Sequence, residues 1–350
     1  MKNLESAESQ PFIIPVFLPH QGCPHQCAFC NQTSITGKKK KIPSPDDLRL
    51  CINKFLEYKG KHKKSVQVAF YGGNFLGLKA DQILSMLHET DKLVKKGIVD
   101  SIRFSTRPDS INKESLDLIK TFPVTTIELG VQSMDDQVLM MSKRGHRSED
   151  TKKAFILLKQ TGYNIGMQMM VGLPGDNEFK SFETARKITE LSPDFVRIYP
   201  TVVLKGSLLA RWYEKGEYKP LPLERCVTVV KNLYLLFKKN KIPVIRMGLQ
   251  ASRDLEKDAS ILAGPYHPAF GHLVFSELFF DMAASGIIKS NNIKKTVSIK
   301  VHPRSISKIR GLKNKNIKTL KKKFCFTSIK IIPDASVEQD RLIIADSCAK

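Results

Sequence analysis

The chain has 350 residues, 41% hydrophobic and 26% charged, enough to bury a large core and too apolar for a disordered polypeptide. Its 57 lysines and arginines against 34 acidic residues leave a formal charge of +23, which favours a polyanionic partner such as RNA or DNA. No apolar run is expected to cross a membrane, residues 1–10 lack the pattern of a secretory signal, and the seven cysteines suit a reducing cytoplasmic setting better than a disulfide framework.

From residue 11 to about 240, short apolar runs alternate with helical patterns. Strands are predicted at 12–18, 66–71, 101–106, 124–131, 164–171 and 194–200, each ended by a Gly, Pro or polar cluster. Helices are predicted near 45–58, 79–96, 112–121, 149–161, 178–191 and 222–239. Ser44-Pro45-Asp46-Asp47 and Asn112 before Glu114 give two of them defined starts. Strand–helix alternation through six units predicts a parallel sheet with right-handed crossovers, and such sheets bind ligands at the carboxyl ends of their strands. The polar residues gather at those ends. Cys23, Cys27 and Cys30 follow the first strand, Gly72-Gly73 the second, Arg107 the third and Gln132 the fourth. Gly172-Leu173-Pro174-Gly175 follows the fifth and Tyr199-Pro200 the sixth.

Beyond residue 240 the character changes. Residues 242–249 predict another strand, Gly264 to Gly271 is loop-like, and a helix is predicted near 272–285. Residues 282–333 contain no acidic side chain and fourteen Lys or Arg, a candidate surface for an RNA backbone. Strands are predicted there at 296–301, 326–332 and 341–345, with a helix near 313–323. The runs Lys38–Lys41 and Lys59–Lys64 flank the first helix. Lysine-rich faces are also simply solvated surfaces, and the stretch lacks the aromatic interleaving of a known RNA module.

Three cysteines at C-x3-C-x2-C spacing on a loop make a soft thiolate donor set, suited to zinc or to an iron–sulfur cluster. A structural zinc site needs a fourth ligand, for which His25 is the candidate; a cubane held by three thiolates leaves one iron open. Cys51, Cys226, Cys325 and Cys348 are isolated and read as small buried hydrophobes. Glu128, a carboxylate inside an apolar strand, calls for a partner, and an ion pair inside the sheet is one reading. His267, in a Pro-flanked loop, reads as a packed turn histidine.

These residues resemble the radical S-adenosylmethionine (SAM) enzymes. Within that superfamily they resemble the radical SAM portion of the Elongator catalytic subunit and short bacterial relatives, and more distantly the oxygen-independent coproporphyrinogen oxidases. The resemblance rests on the cysteine motif, Phe70-Tyr71-Gly72-Gly73-Asn74-Phe75, Thr106-Arg107-Pro108-Asp109, Glu128-Leu129-Gly130-Val131-Gln132-Ser133, Arg144-Gly145-His146, Val171-Gly172-Leu173-Pro174-Gly175 and Arg197-Ile198-Tyr199-Pro200. It implies an α/β fold: a partial (β/α)6 TIM-type barrel over residues 1–240, with a smaller, basic α/β extension over 241–350. It implies a [4Fe-4S] cluster on Cys23, Cys27 and Cys30, whose open iron takes the amino and carboxylate groups of SAM. Reductive cleavage then yields a 5′-deoxyadenosyl radical that abstracts a hydrogen atom from substrate.

The resemblance further implies SAM contacts at Phe29 and Gly172 near the adenine, Gly72 and Gly73 at the ammonium, and Arg144 at the carboxylate. Gln132 and Gln168 would reach the ribose or carboxylate, and Tyr199 would cover the adenine unless it is a core aromatic. Ser105 stands where relatives often carry Glu, and Asn74 where an acidic or small polar residue is common. An electron donor such as flavodoxin or ferredoxin is implied, and tRNA is a candidate substrate. No R-x-x-G-x-G/A acetyl-CoA loop is found, so carboxymethylation of tRNA by this chain alone is not expected. A radical SAM enzyme of small metabolites and a non-catalytic iron–sulfur or zinc RNA-binding protein are the other function classes open to this sequence.

Overall fold

The computed structural model describes residues 11–32, 42–59, 65–250, 260–290 and 295–345. The run Lys38–Lys41, Lys61–Lys64 and Cys348 lie outside the described residues.

Six strands come first: β1 (Phe12–Phe17), β2 (Val66–Tyr71), β3 (Ser101–Thr106), β4 (Val124–Gln132), β5 (Asn164–Val171) and β6 (Phe195–Pro200). They lie side by side in chain order, all parallel, and a seventh strand, β8 (Val244–Met247), pairs parallel with β6. The sheet is the curved half-barrel expected, but it runs on past residue 240 through β8. Val244 and Met247 are half-buried against the core and extend the apolar face of β6, so the seventh strand is recruited by the same packing. The inner strands read as near-continuous apolar runs because both faces are covered; every residue of β2 from Val66 to Phe70 is buried.

The crossover helices are α1 (Pro45–Lys59), α2 (Ala80–Lys95), α3 (Lys113–Ile119), α4 (Asp136–Met141), α5 (Ser148–Lys159) and α6 (Glu178–Leu191). The predicted starts are real caps. The Ser44 hydroxyl accepts from the Asp47 amide at 3.1 Å, and the Asn112 side chain accepts from the Ser115 amide at 2.7 Å. Next come β7 (Val203–Leu204), α7 (Leu208–Glu214), α8 (Leu223–Lys239) and β9 (Ile261–Ala263), which pairs antiparallel with β7. The short elements α4, α7, β7 and β9 are absent from the sequence-based expectations, because fewer than two helical turns, or two or three strand residues, carry no readable period.

The chain then forms α9 (Phe270–Lys289), β10 (Thr296–Val301), α10 (Ile306–Arg310), α11 (Lys315–Phe324), β11 (Ser328–Pro333) and β12 (Leu342–Ala345). β10 is the centre of a three-stranded sheet, parallel to β11 and antiparallel to β12. By length and composition α9 is apolar enough to cross a membrane, contrary to the expectation that no segment would be. Its apolarity has a packing cause. Phe270 and Val274 belong to the barrel core, whereas Phe279, Ala283, Ala284 and Ile287 belong to the core of the three-stranded sheet. Glu277 and Asp281 on the same helix pair with the buried Lys231 of α8.

Candidate active site

The loop after β1 is the mouth of the half-barrel, and hydrogen bonds between protein groups hold it. Leu18 N donates to Tyr71 O at 2.7 Å and Asn74 N to Gln21 O at 2.8 Å. His20 N donates to the Gln32 side chain, and Gln32 N donates back to His20 Nε2 at 2.9 Å, closing the loop. The buried amide of Asn74 is the central tie. Its Nδ2 donates to Gly22 O at 2.9 Å and Ser110 Oγ at 2.8 Å, while Oδ1 accepts from Thr106 Oγ1 at 2.7 Å and Arg107 N at 3.0 Å. Asn74 thus ties the loop to the end of β3, which a carboxylate acting on a ligand would not do.

The loop lies so close to the β2 turn that two positions exclude a side chain. A Cβ on Gly73 would sit 2.3 Å from Gln21 O and 2.5 Å from Leu18 O. One on Gly22, whose φ is +68°, would sit 2.2 Å from Asn74 O. Gly72 is different: at φ +98°, its missing Cβ would meet only ordinary contacts with Gln32 and Leu18.

Cys27 is buried, and Cys23 and Cys30 are half-buried. The thiol of Cys30 is pushed up to about 12 by burial and then by repulsion from Cys27 and Cys23, with Arg144 and Gln32 opposing. Three such thiolates coexist only with a cationic centre to hold them. Among the described residues, no three of His, Cys, Asp and Glu converge on a single-ion position. A cubane does not need that convergence, since each thiolate binds a different iron. The ring of His25 lies against Gly145, where an added Cβ would be 2.2 Å from His25 Cδ2.

Guanidinium groups surround the thiols. Arg144 Nη1 donates to Cys27 Sγ at 3.2 Å and Nη2 to Gly130 O at 2.5 Å; its buried Nε has no partner. Arg107 grips Asp109 with Nε at 2.9 Å and Nη2 at 2.7 Å, leaving Nη1 buried without a partner. Burial opposes the Arg107 charge, but Asp109 and the nearby Cys27 and Cys23 hold its pKa above the ordinary value. Gln132 closes β4 with a left-handed φ of +67°, beside a break in the register with β5, and its Oε1 accepts from Gln168 Nε2 at 3.3 Å. Gly130 leaves room for this arrangement; a Cβ there would be 2.8 Å from Arg144 Nη2 and 3.1 Å from Gln132 Nε2. The buried His146 has no hydrogen-bond partner on either ring nitrogen. Burial and then Arg144 lower its pKa to about 3, against Asp109.

A strap from Thr201 to Leu221, including β7 and α7, fastens the cysteine loop from the other side. Leu209 N donates to Ala28 O at 2.8 Å, Asn31 Nδ2 to Lys205 O at 2.6 Å, and Tyr218 OH to Gly172 O at 2.6 Å. Phe29 packs against this strap, in one apolar cluster with Val203, Leu209, Trp212 and Tyr218. A cleft of about 590 Å³ opens between the strap and the β5 turn, lined by Gly172, Gly175, Met141, Trp212, Tyr218 and Leu221.

Deeper in the barrel, Glu128 has the ion-pair partners its burial demands. Arg197 Nε lies 2.7 Å from Oε2, Arg103 Nε lies 3.2 Å from Oε1, and Tyr71 OH donates to Oε1 at 3.0 Å. Tyr199 OH accepts from Arg197 Nη1 at 3.3 Å. The structure therefore brings Cys23, Cys27, Cys30, Arg144, Gln132 and Gln168 to one mouth, sets Gly72 beside it, and places Tyr199 near the end of β6, bonded to Arg197. Phe29 and Gly172 sit on the strap side. Arg103 escapes sequence reading, although a lone arginine at an inward position of an apolar strand is its signal.

The chain matches the family description "Radical SAM superfamily" over residues 17–188 and that of a radical SAM C-terminal domain over 193–279. It is 31% identical over 250 residues to an uncharacterized protein of Methanocaldococcus jannaschii, covering 66% of this chain and 76% of that protein. It is 26% identical over 254 residues to a tRNA uridine(34) acetyltransferase of Dehalococcoides mccartyi, covering 63% of this chain and 55% of that protein's length. Human Elongator complex protein 3 is 26% identical over 201 residues, 52% of this chain and 37% of its own. Among solved structures, the Elp3 protein of Methanocaldococcus infernus superposes with a TM-score of 0.59 at 23% identity, over 77% of this chain and 63% of that one.

Proposed function

The chain belongs to the radical SAM superfamily, and from that premise we propose that it is an Elongator-like enzyme that modifies tRNA. Its cofactors are a [4Fe-4S] cluster and SAM, as in the rest of the superfamily. When bound, they supply an electron to the sulfonium and so a 5′-deoxyadenosyl radical that abstracts a hydrogen atom. The residues present fit both groups: three free cysteines on one loop, a soft donor set for iron, and partnerless guanidinium nitrogens on Arg107 and Arg144 beside them.

On this reading Cys23, Cys27 and Cys30 hold three irons. Arg144 stabilises the Cys27 thiolate through Nη1 and offers Nε to a carboxylate, and Gly72 leaves space beside the loop for an ammonium. Gln132 and Gln168, already bonded to each other, offer amides to a ribose. The cleft beside Gly172 is large enough for a nucleoside, with Trp212 and Tyr218 as its aromatic wall. The single observation carrying the enzyme assignment is the 3.2 Å contact of Arg144 with Cys27 at the strand-end mouth. The tRNA part rests on the acid-free stretch 282–333 and on the relatives' names. Lys315, Lys318, Lys322 and Lys323 lie exposed on α11, opposite its buried Asn316 and Leu320. A reduced flavodoxin or ferredoxin is the electron donor on this reading, in the cytoplasm.

Anaerobic reconstitution with iron and sulfide, then SAM and a reductant, tests the assignment. The wild type is expected to form 5′-deoxyadenosine, and Cys27→Ala to lose both cluster and cleavage; cleavage retained by Cys27→Ala would sink it. Bulk tRNA should bind with a steep salt dependence that Lys318→Gln/Lys322→Gln reduces. Absence of that binding would favour a small-molecule substrate.

A further inference from the structure

The inner face of the barrel carries more positive charge than its own carboxylate can balance. Two guanidinium groups, Arg103 on β3 and Arg197 on β6, meet one carboxylate, Glu128, at 3.2 and 2.7 Å. Arg197 is fully engaged with Glu128, Tyr71 and Tyr199, whereas the Arg103 Nε is buried without a well-formed hydrogen bond, so its pair leaves donor capacity unused. Among the described residues, Arg103 makes no side-chain hydrogen bond and is instead stacked over the Phe195 ring at 5.3 Å. Gly166 makes room for that ring, since a Cβ there would be 2.3 Å from Phe195 Cε2.

A third arginine joins them. Arg246 on β8 is the register partner of Arg197, beside a bulge that keeps Val244 and Met247 on the outer, core-packed face. Arg246 therefore lies on the same inner face as Arg197, half-buried, and among the described residues it forms no ion pair. The hydroxyl of Tyr71 does not supply the missing negative charge. Burial and then Glu128 raise the Tyr71 pKa, so it stays protonated, and Tyr199 serves as an acceptor for Arg197 Nη1 at 3.3 Å. A buried guanidinium group without full compensation is unfavourable, and an anion entering from the mouth would offset that cost.

We propose that Arg103, Arg197 and Arg246 form a phosphate-binding site inside the barrel, which seats a phosphate of the substrate nucleotide beneath the cysteine mouth. The site deepens the tRNA reading and rests on it for the nature of the substrate. Adjacent guanidinium forks match phosphate oxygens in a way that a single lysine does not. Glu128 lies two residues before Gly130, the register partner of Gln168, whose amide reaches Gln132 at 3.3 Å, so the carboxylate that anchors the site is one inward layer below the mouth.

Calorimetric titration of the anaerobic holoenzyme with inorganic phosphate tests the site. Arg246→Gln is expected to weaken binding about tenfold, the worth of one charge-assisted contact. Glu128→Gln, which removes the opposing carboxylate, is expected to tighten it. Opposite signs for these two variants are not produced by surface lysines, and equal affinities in both would overturn the proposal. A uridine 5′-monophosphate arm and a short oligouridylate arm separate a free nucleotide from an RNA phosphodiester as the source. Wild-type 5′-deoxyadenosine formation is scored separately and needs no phosphate, so failure of the enzyme reading and failure of this site are distinguishable.

Discussion

Asn74 holds the site through an uncharged side chain. Its amide makes four hydrogen bonds, to Gly22, Ser110, Thr106 and Arg107, in a position closed to water. Asn74→Ala strands several buried donors and acceptors at once, so urea unfolding should show a loss of about 2–4 kcal/mol. The same variant should bind less iron on reconstitution, because Gly22 and the cysteine loop lose their tie to β3. His146 gives the site a pH signature. Its folded pKa of about 3 lies below the ordinary imidazole value of 6.5, so between those pH values the unfolded chain binds a proton that the native chain does not. Its contribution is neutral above pH 6.5 and turns destabilising as pH falls through that window. Cluster-free wild type should thus lose about 1.5 kcal/mol more than His146→Gln between pH 6.5 and 5, measured by urea unfolding at each pH. Sequence reading singled out the cysteines because a soft donor set shows in their spacing. It did not find the Asn74 knot or the Arg103 ion pair, which exist only once separate strands are aligned.

At the scale of elements, the cysteine loop is clasped between the β2 turn and the strap. Gly73→Ala would force a Cβ to within 2.3 Å of Gln21 O, so the loop must lift. Reconstituted Gly73→Ala is expected to hold well under half the wild-type iron. Gly97→Ala is the control: Gly97 has a left-handed φ of +67° and nothing within 4 Å of an added Cβ, so the change should cost only about 1 kcal/mol with iron content unchanged. The six long strands and their helices were legible because each repeats its apolar period over several residues. The strap was not legible: β7 has two residues and α7 seven, and what fixes them is the hydrogen bonding of Leu209 to Ala28 and Tyr218 to Gly172. β8 could be read as a strand, but not as part of the barrel, because pairing is a property of two segments and its register with β6 is broken by a bulge.

At the scale of the molecule, α9 is common property of two cores. Removing residues 295–350 would strip cover from Phe279, Ala283 and Ile287, and the truncated chain is expected to aggregate in size-exclusion chromatography rather than run as a smaller monomer. The start of α9 rests on the end of β8, where a Cβ on Gly248 would come 2.6 Å from Phe270 Cβ. Its far half underlies the sheet that carries the lysine-rich α11. A helix of 20 residues is about 30 Å long. On the tRNA reading, α9 is a ruler: it sets how far along a bound strand the reacting nucleotide lies from the backbone gripped by α11. Oligonucleotides too short to span that distance would occupy one end or the other, and processing efficiency should rise in a step with length rather than gradually.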